Sequence, residues 1–350
     1  MSERAVRASV IIVNYNHKAA ILRCLESVLA SLPADCEVVV VDNASSDGSA
    51  SAIRAAFPAV SLVTASTNGG FGAGCNLGAR AAAGTFLVFL NPDTTVDPAW
   101  LAALLAPLES SPRTGLVTAR ILLADGTRRI NVCSINVHLT GLALMRGMGA
   151  PAHAYPRAEE VASVSGAAFA IRREVFHTLG GFDEEMFLYM EDVDLSWRAR
   201  LAGWTCAYAH ASVVLHDYSL KLKPGRIFHQ ERNRYLMLLK CLRWPTLVLL
   251  LPALALAELV TWGFVLTRRL SPAEKISAYR WAITNGRAIR AKRQSVQQSR
   301  TVKDRELLQR TVGALAFEQV TSPTAAVASR LVFNPLFSVW RWLLLAVVWW

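Results

Sequence analysis

The residues best able to do chemistry are acidic, and they lie beside apolar runs. Asp42 closes Val38-Val39-Val40-Val41 and opens Asp42-Asn43-Ala44-Ser45-Ser46-Asp47-Gly48-Ser49. A carboxylate at the end of such a run can bind a ribose hydroxyl or a base N–H, and burying it without a partner is costly. Asp47 has a simpler use, capping a helix that starts near Gly48 and Ser49. Phe86-Leu87-Val88-Phe89-Leu90 runs into Asn91-Pro92-Asp93-Thr94. That turn brings an amide and a carboxylate to a sheet rim, where a divalent ion such as Mg²⁺ takes one or two carboxylates plus substrate phosphates. Asn-Pro-Asp is equally an ordinary turn. Glu191-Asp192-Val193-Asp194 is a dense acidic cluster within the first 220 residues. The macrodipole explains one or two acids at a helix start. Three in four residues, beside Phe187-Leu188-Tyr189-Met190, exceed that need, and like charges raise one pKa, as suits a general base.

Two further features have structural and chemical readings side by side. Asn68-Gly69-Gly70-Phe71-Gly72-Ala73-Gly74-Cys75-Asn76 resembles a dinucleotide fingerprint, but its third glycine slot holds Cys75 and it follows the third strand candidate. Its glycines still permit close backbone approach to a phosphate at a helix N-terminus. His216 ends Val213-Val214-Leu215 and is either a structural histidine or a ligand.

These residues need elements to position them. Between residues 8 and 120, β-branched runs at 9–13, 37–42, 61–64, 85–91 and 115–120 alternate with helical segments, the first over 18–31. That alternation is the signature of a parallel sheet flanked by helices. Asn14-Tyr15-Asn16, the Asp42 stretch, Asn68-Gly69-Gly70 and Asn91-Pro92-Asp93 all follow strand candidates and should form one site at the carboxyl ends. Residues 121–162 have weak periodicity and read as excursions shaping an acceptor pocket. A helix over 193–202 and strands at 205–207 and 213–215 follow, giving a donor half of about 1–120 and an acceptor half of about 121–220.

The 350 residues suffice for one large or two modest domains. They are 53% hydrophobic and 18% charged, with a net charge of +11. Residues 1–220 hold 16 Lys+Arg against 20 Asp+Glu, net −4, and residues 221–350 hold 21 against 6, net +15. A basic, apolar C-terminal module suits an anionic membrane surface; a nucleic-acid binder would carry its charge on a polar face with aromatics between. Within it, Lys221, Lys223, Arg226, Arg232, Arg234, Lys240 and Arg243 interleave with Phe228, Tyr235, Leu236 and Leu239 as on an interfacial helix. Residues 246–267 contain one charge, Glu258, and residues 331–350 contain Arg341 and a Trp-rich end. Both runs meet the length of about 20 residues needed for a bilayer span. Basic residues flank the first run on both sides, and Pro252 and Glu258 interrupt it, so a re-entrant or surface-lying hairpin is expected over a crossing, with a buried core helix as the alternative. Six scattered cysteines without a C-x-x-C pair read as reduced thiols, and the N-terminal apolar run is too short for a signal-peptide core. The first domain is therefore expected in the cytoplasm.

Taken together, the chain resembles the family 2 nucleotide-sugar glycosyltransferases of the GT-A fold, especially the bacterial rhamnosyltransferase-like branch. The resemblance runs from Ser9 to about Arg243. It rests on Ser9-Val-Ile-Ile-Val-Asn-Tyr-Asn16, the stretch from Val40 to Ser49, Asn68-Gly-Gly-Phe71 with Asn76 and Gly78, Phe89-Leu-Asn-Pro-Asp-Thr94, Ser165-Gly166-Ala167, and Gly180-Gly-Phe-Asp183 leading to Glu191-Asp-Val-Asp194. It implies an inverting transfer in which Asp192 is the general base and Asp93 and His216 hold a divalent metal, Mg²⁺ or Mn²⁺. Asn14, Asp42, Asn68, Gly69, Gly70, Asn76, Asn91 and Asp93 would serve the donor. Gly166, Glu191, Asp194 and Trp197 would serve the acceptor, with Trp197 stacking on a sugar. Asn91 stands where the family's D-x-D motif has its first acid, which leaves fewer anionic ligands. The implied partners are a nucleotide sugar, dTDP-rhamnose or a UDP-sugar, and a lipid-linked or cell-envelope glycan at the cytoplasmic face of the inner membrane; nucleic acid is not among them. Two alternatives remain at this point. A nucleotidyltransferase would need a basic phosphate-contacting stretch near the first strand, where only His17 and Lys18 follow it. A non-enzymatic nucleotide-sugar sensor would keep Asp42 and Asp93 and have no use for Asp192.

Overall fold

A computed structural model describes residues 6–218, 225–319 and 323–350 of the chain. The backbone divides into two compact units. The first comprises Met1–Ser134, Met145–Ala199 and Trp204–Leu220, and the second Ile135–Leu144, Arg200–Gly203 and Lys221–Trp350.

The chain begins with β1 (Ala8–Asn14), α1 (Lys18–Leu29), β2 (Cys36–Asp42), α2 (Ser49–Ala56), β3 (Ser61–Thr64), α3 (Gly70–Ala81) and β4 (Phe86–Leu90). Strands β3, β2, β1 and β4 are neighbours in that order and all parallel. β1 is buried at every residue, as its continuous apolar run requires of a strand covered on both faces. Helix α3 packs closely on β1 because it is glycine-rich there. A Cβ on Gly74 would stand 2.6 Å from Val13 Cγ1, and one on Gly78 would stand 2.5 Å from Ile11 Cγ2.

β5 (Thr94–Val96), α4 (Trp100–Ser110), β6 (Thr114–Leu123) and β7 (Ile130–Val132) continue the first unit. β8 (Ser134–Val137) and β9 (Ala143–Arg146) pair as a separate ribbon. β10 (Glu159–Glu160), β11 (Ala168–Arg172), α5 (Arg173–Thr178), α6 (Glu191–Leu201) and β12 (Thr205–His216) complete this part of the chain. β11 lies antiparallel between β4 and β6, and β12 runs parallel to β6. Phe89 on β4 stacks on Phe169 of β11 with ring centroids 5.0 Å apart, in a core shared with Phe176 and Phe182. The two strands expected at 205–207 and 213–215 are one, β12, with a register shift between Ala209 and Val213. The irregular stretch 121–162 contains the end of β6 and the short strands β7 to β10.

The second unit is helical: α7 (Arg226–Cys241), α8 (Trp244–Thr267), α9 (Pro272–Thr284), α10 (Gly286–Gln298), α11 (Asp304–Gln309) and α12 (Pro323–Val347). Glu274 on α9 accepts from the backbone amides of Gly225, Ile227 and Phe228, satisfying the N-terminus of α7. Three expectations change here. α7 is not an interfacial helix, because Arg232, Arg234 and Lys240 are buried. Lys221 and Lys223 lie outside the described residues. The apolar run 246–267 is not a hairpin but part of a single 24-residue helix that continues through Pro252. A proline removes one intrahelical hydrogen bond, and the surrounding Leu and Ala residues hold the helix on either side. Nor is α8 a core helix, since only 22% of its most apolar window is buried.

The buried face of α8 includes an ion-pair cluster. Glu258 meets Arg234 of α7 and Lys275 of α9, Arg234 also meets Glu231 at 2.6 Å, and Tyr235 and Tyr279 donate to Glu258. Two acids face two cations, so the cluster is balanced as burial demands. The other side of α8 exposes Trp244, Val248, Leu251, Leu259 and Leu266. Their successive spacings of four, three, eight and seven residues keep them on one helix face. On α12, Leu331, Leu336, Val339 and Trp342 are likewise exposed.

Candidate active site

β1 and β2 end together, and their register pairs Asn14 with Asp42. Asn14 Nδ2 donates to Asp42 Oδ1 at 3.3 Å and to Ser45 Oγ at 3.2 Å, and Ser45 N donates to Asp42 Oδ2 at 3.1 Å. Asp42 is 3% exposed, with these local donors on both oxygens. The N-cap of α2 is Gly48, and Asp47 beside it accepts from Lys18 N and Ser49 N, the first amides of α1 and α2.

The glycine loop departs from the phosphate cradle expected of it. Asn43, which sequence reasoning passed over, donates to Asn68 Oδ1 and Gly70 O and accepts from Gly69 N. Gly70 N donates to Asn68 Oδ1, and Phe71 N to Phe187 O. The amides of Gly69, Gly70 and Phe71 are therefore engaged within the protein, and Asn68, Gly69 and Gly70 scaffold their own loop. Asn76 is likewise a fastener: it donates to Phe182 O and Glu184 Oε1 and accepts from Phe182 N.

Beyond β4, the Asn91 amide donates to Ala167 O at 2.9 Å. Asp93 precedes β5, whose Thr94 is the register partner of His216 on β12. This pairing brings His216 Nε2 to 3.2 Å from Asp93 Oδ1. Burial alone would raise the Asp93 carboxyl, but the His216 contact outweighs it and holds the group below its ordinary range. His216 Nδ1 lies 2.9 Å from Asn131 Oδ1. Asn131 had no sequence signal, being an amide in a stretch without periodicity.

The acidic cluster separates into distinct environments. Asp192 Oδ2 accepts from Gly166 N at 2.7 Å and Oδ1 from its neighbour Val193 N at 2.8 Å. Burial raises its carboxyl against these donors. Burial, then the Asp192 charge, pushes buried Glu191 up to about 8. Asp194 does not face an acceptor: it is fully buried and pairs with Arg198 at 2.8 Å, whose guanidinium also donates to Leu179 O and Gly181 O. Trp197, 2% exposed, has no face free to stack on a sugar. Helix α6 buries it, against the stacking role that the resemblance implied. The approach to α6 is strained, with Phe187, Tyr189 and Met190 all at positive φ.

Register unites the two halves of the site. β4 and β11 are antiparallel, with Leu90 opposite Ala168. The loop leaving β4 and the loop entering β11 therefore share one end of the sheet. The first carries Asn91 and Asp93; the second carries Gly166, whose amide holds Asp192.

Comparison with known proteins agrees with this architecture. The Glycosyl transferase family 2 profile matches residues 9–180. An N-acetylglucosaminyl-diphospho-decaprenol L-rhamnosyltransferase of Mycobacterium tuberculosis is 30% identical over 229 residues, 59% of this chain and 75% of that protein. Among solved structures, GalNAc-T7 with UDP, GalNAc and Mn²⁺ superposes with a TM-score of 0.55 at 22% identity, over 68% of this chain and 48% of that one. Residues 1–349 of S. aureus TarS with UDP-GlcNAc give 0.54 at 16% identity, over 96% and 90%. The fold is GT-A, and the chain belongs to glycosyl transferase family 2. It is a glycosyltransferase, which removes the nucleotidyltransferase and sensor alternatives.

Proposed function

We propose that the protein moves a sugar from a nucleotide sugar, dTDP-rhamnose or a UDP-sugar, to a hydroxyl of a lipid-linked or cell-envelope glycan, with inversion. The observation carrying this reading is the shared end of β4 and β11, where the loop with Asp93, paired to His216, adjoins the loop whose Gly166 amide holds Asp192. Asp192 takes the proton from the acceptor hydroxyl as its oxygen attacks the anomeric carbon, and the nucleoside diphosphate leaves from the opposite side. Gly166 and Val193 orient the carboxylate; Asn14 and Asp42 form the floor on which the nucleoside rests. The L-rhamnosyltransferase relative supports a deoxyhexose donor and a diphosphate-linked lipid acceptor.

Asp93 and His216 would hold a divalent ion, Mg²⁺ or Mn²⁺. Their facing atoms are 3.2 Å apart, close to the separation of about 3 Å between adjacent ligands of an octahedral ion with bonds of about 2.1 Å. No group of three or more His, Cys, Asp or Glu able to hold a metal occurs among the described residues, so the phosphates and water would complete the sphere. When bound, the ion would neutralise the charge growing on the leaving diphosphate.

The acceptor reading is joined to a location. The exposed apolar faces of α8 and α12, in the +15 part of the chain, suit the anionic cytoplasmic surface of the cell membrane.

Asp192→Asn tests the core of the proposal. Transfer should fall by roughly a hundredfold or more, while calorimetric binding of the donor nucleotide with Mn²⁺ stays within twofold. Asp93→Ala should show the converse, losing the Mn²⁺ dependence of nucleotide binding. Transfer at the normal rate by Asp192→Asn would remove Asp192 as the base.

A further inference from the structure

A cavity of about 460 Å³ in the first unit is lined by Arg120, Arg128, Arg129, His153, Thr127 and Val213 among others, with no carboxylate in its wall. That volume is in the range of small-molecule sites. Two of the arginines are anchored by backbone carbonyls. Arg120 Nη1 donates to Ala152 O at 3.1 Å, and Arg129 Nη1 donates to Gly149 O at 2.7 Å. Arg120 Nε is buried with no hydrogen-bond partner. Arg128, between Thr127 and Arg129, is held at a φ of 53°, a left-handed conformation that is strained for a non-glycine residue. Three guanidinium groups line one cavity, and the nearby carboxylate, Asp125, which feels the charge of Arg129, is not part of its wall. Forked guanidinium donors match the oxygens of a phosphate.

The cavity borders the site described above. Arg120 and Val213 are register partners on β6 and β12, and Val213 precedes His216 on the same strand by roughly 10 Å. Arg129 leads into β7, where Asn131 binds His216. The donor's diphosphate is already assigned to the Asp93–His216 pair, so a second phosphate-bearing group has to be the acceptor's.

We propose that this cavity binds the diphosphate of a lipid-linked acceptor; this rests on the transferase reading above. Inorganic pyrophosphate shares that chemistry, and the test separates the two. The variant is Arg128→Gly/Arg129→Gln, in which glycine keeps the positive φ and both arginine positions are exposed. In calorimetry with full-length protein in neutral detergent, pyrophosphate should bind the wild type and bind the variant at least about tenfold more weakly, the loss of one charge-assisted hydrogen bond. In transfer assays, the variant should raise KM at least about tenfold for a lipid-diphosphate-linked sugar. It should leave kcat, donor KM, and KM for the same sugar on a lipid without diphosphate unchanged. Equal KM shifts for both acceptors, or none for either, overturn the proposal. Pyrophosphate binding that is lost in the variant while acceptor KM stays fixed assigns the cavity to a free anion and also overturns it. A wild type that transfers to neither acceptor defeats the transferase reading instead, and pyrophosphate binding then still decides whether the anion site exists.

Discussion

Glu191 and Asp192 are adjacent in sequence and differ in what surrounds them. Asp192 has two amide donors, whereas Glu191 Oε2 is buried without a partner. The folded protein thus raises the Glu191 carboxyl from 4.5 to about 8, through burial first and the Asp192 charge second. A raised carboxyl keeps a proton that the unfolded chain has lost, so its cost grows as pH rises from about 4.5 to about 8 and is absent below that window. Glu191→Gln should remove the cost, stabilising the protein by on the order of 3 kcal/mol at pH 8 and leaving it unchanged near pH 4. Thermal melts of both proteins across that range check this, and parallel curves would show that Glu191 is not buried as a neutral acid. Asp192, the proposed base, is raised by the same burial, so transfer should weaken as pH falls and its carboxylate gains a proton. Which acids share an environment was not legible in Glu191-Asp192-Val193-Asp194. Spacing marks Asp194 as a site residue as readily as Asp192, and only the position of Arg198 one helical turn on explains its ion pair. Asn43 and Asn131 went unread because an amide acquires its role from partners distant in sequence.

At the level of elements, Gly70 links α3 to the strained approach to α6. A Cβ there would stand 2.2 Å from Phe187 O, and its φ is 85°. Gly70→Ala should therefore cost roughly 2–4 kcal/mol from overpacking and strain together. Chemical denaturation measures it, and a loss below about 0.5 kcal/mol, the scale of an ordinary surface change, would mean the two loops move apart without penalty. The parallel strands were legible to within about a residue or two, because a strand buried on both faces is written as an unbroken apolar run. The glycines of α3 were readable as close approach, but what approaches is Val13, Ile11 and Phe187, and no pattern within the segment reveals that. β7 to β10 have only two to four residues each, too few for a period to emerge. β12 read as two strands because its irregularity between Ala209 and Val213 breaks the alternation.

Over the whole molecule, the division of charge into −4 and +15 separates a carboxylate-based site from an apolar, basic module. The polar residues within that module's apolar run misled the hairpin reading: Glu258 belongs to a balanced cluster on the covered side of α8. Leu251, Leu259 and Leu266 remain on the exposed side. Burying each in lipid is worth about 1.5 kcal/mol or more, so Leu251→Gln/Leu259→Gln/Leu266→Gln should weaken partitioning onto anionic vesicles by roughly a hundredfold or more. Flotation assays measure it; wild-type flotation by the triple variant would exclude α8 as the docking face. The pairing of His216 with Asp93 has a consequence for how the enzyme comes into being. Residues 93 and 131 emerge from the ribosome well before residue 216, which lies 85 positions beyond Asn131. A nascent chain can therefore complete β1 to β4 while still lacking the histidine. On the reading proposed above, competence to hold the donor's diphosphate through a metal would arrive only when β12 is added beside β6, late in translation.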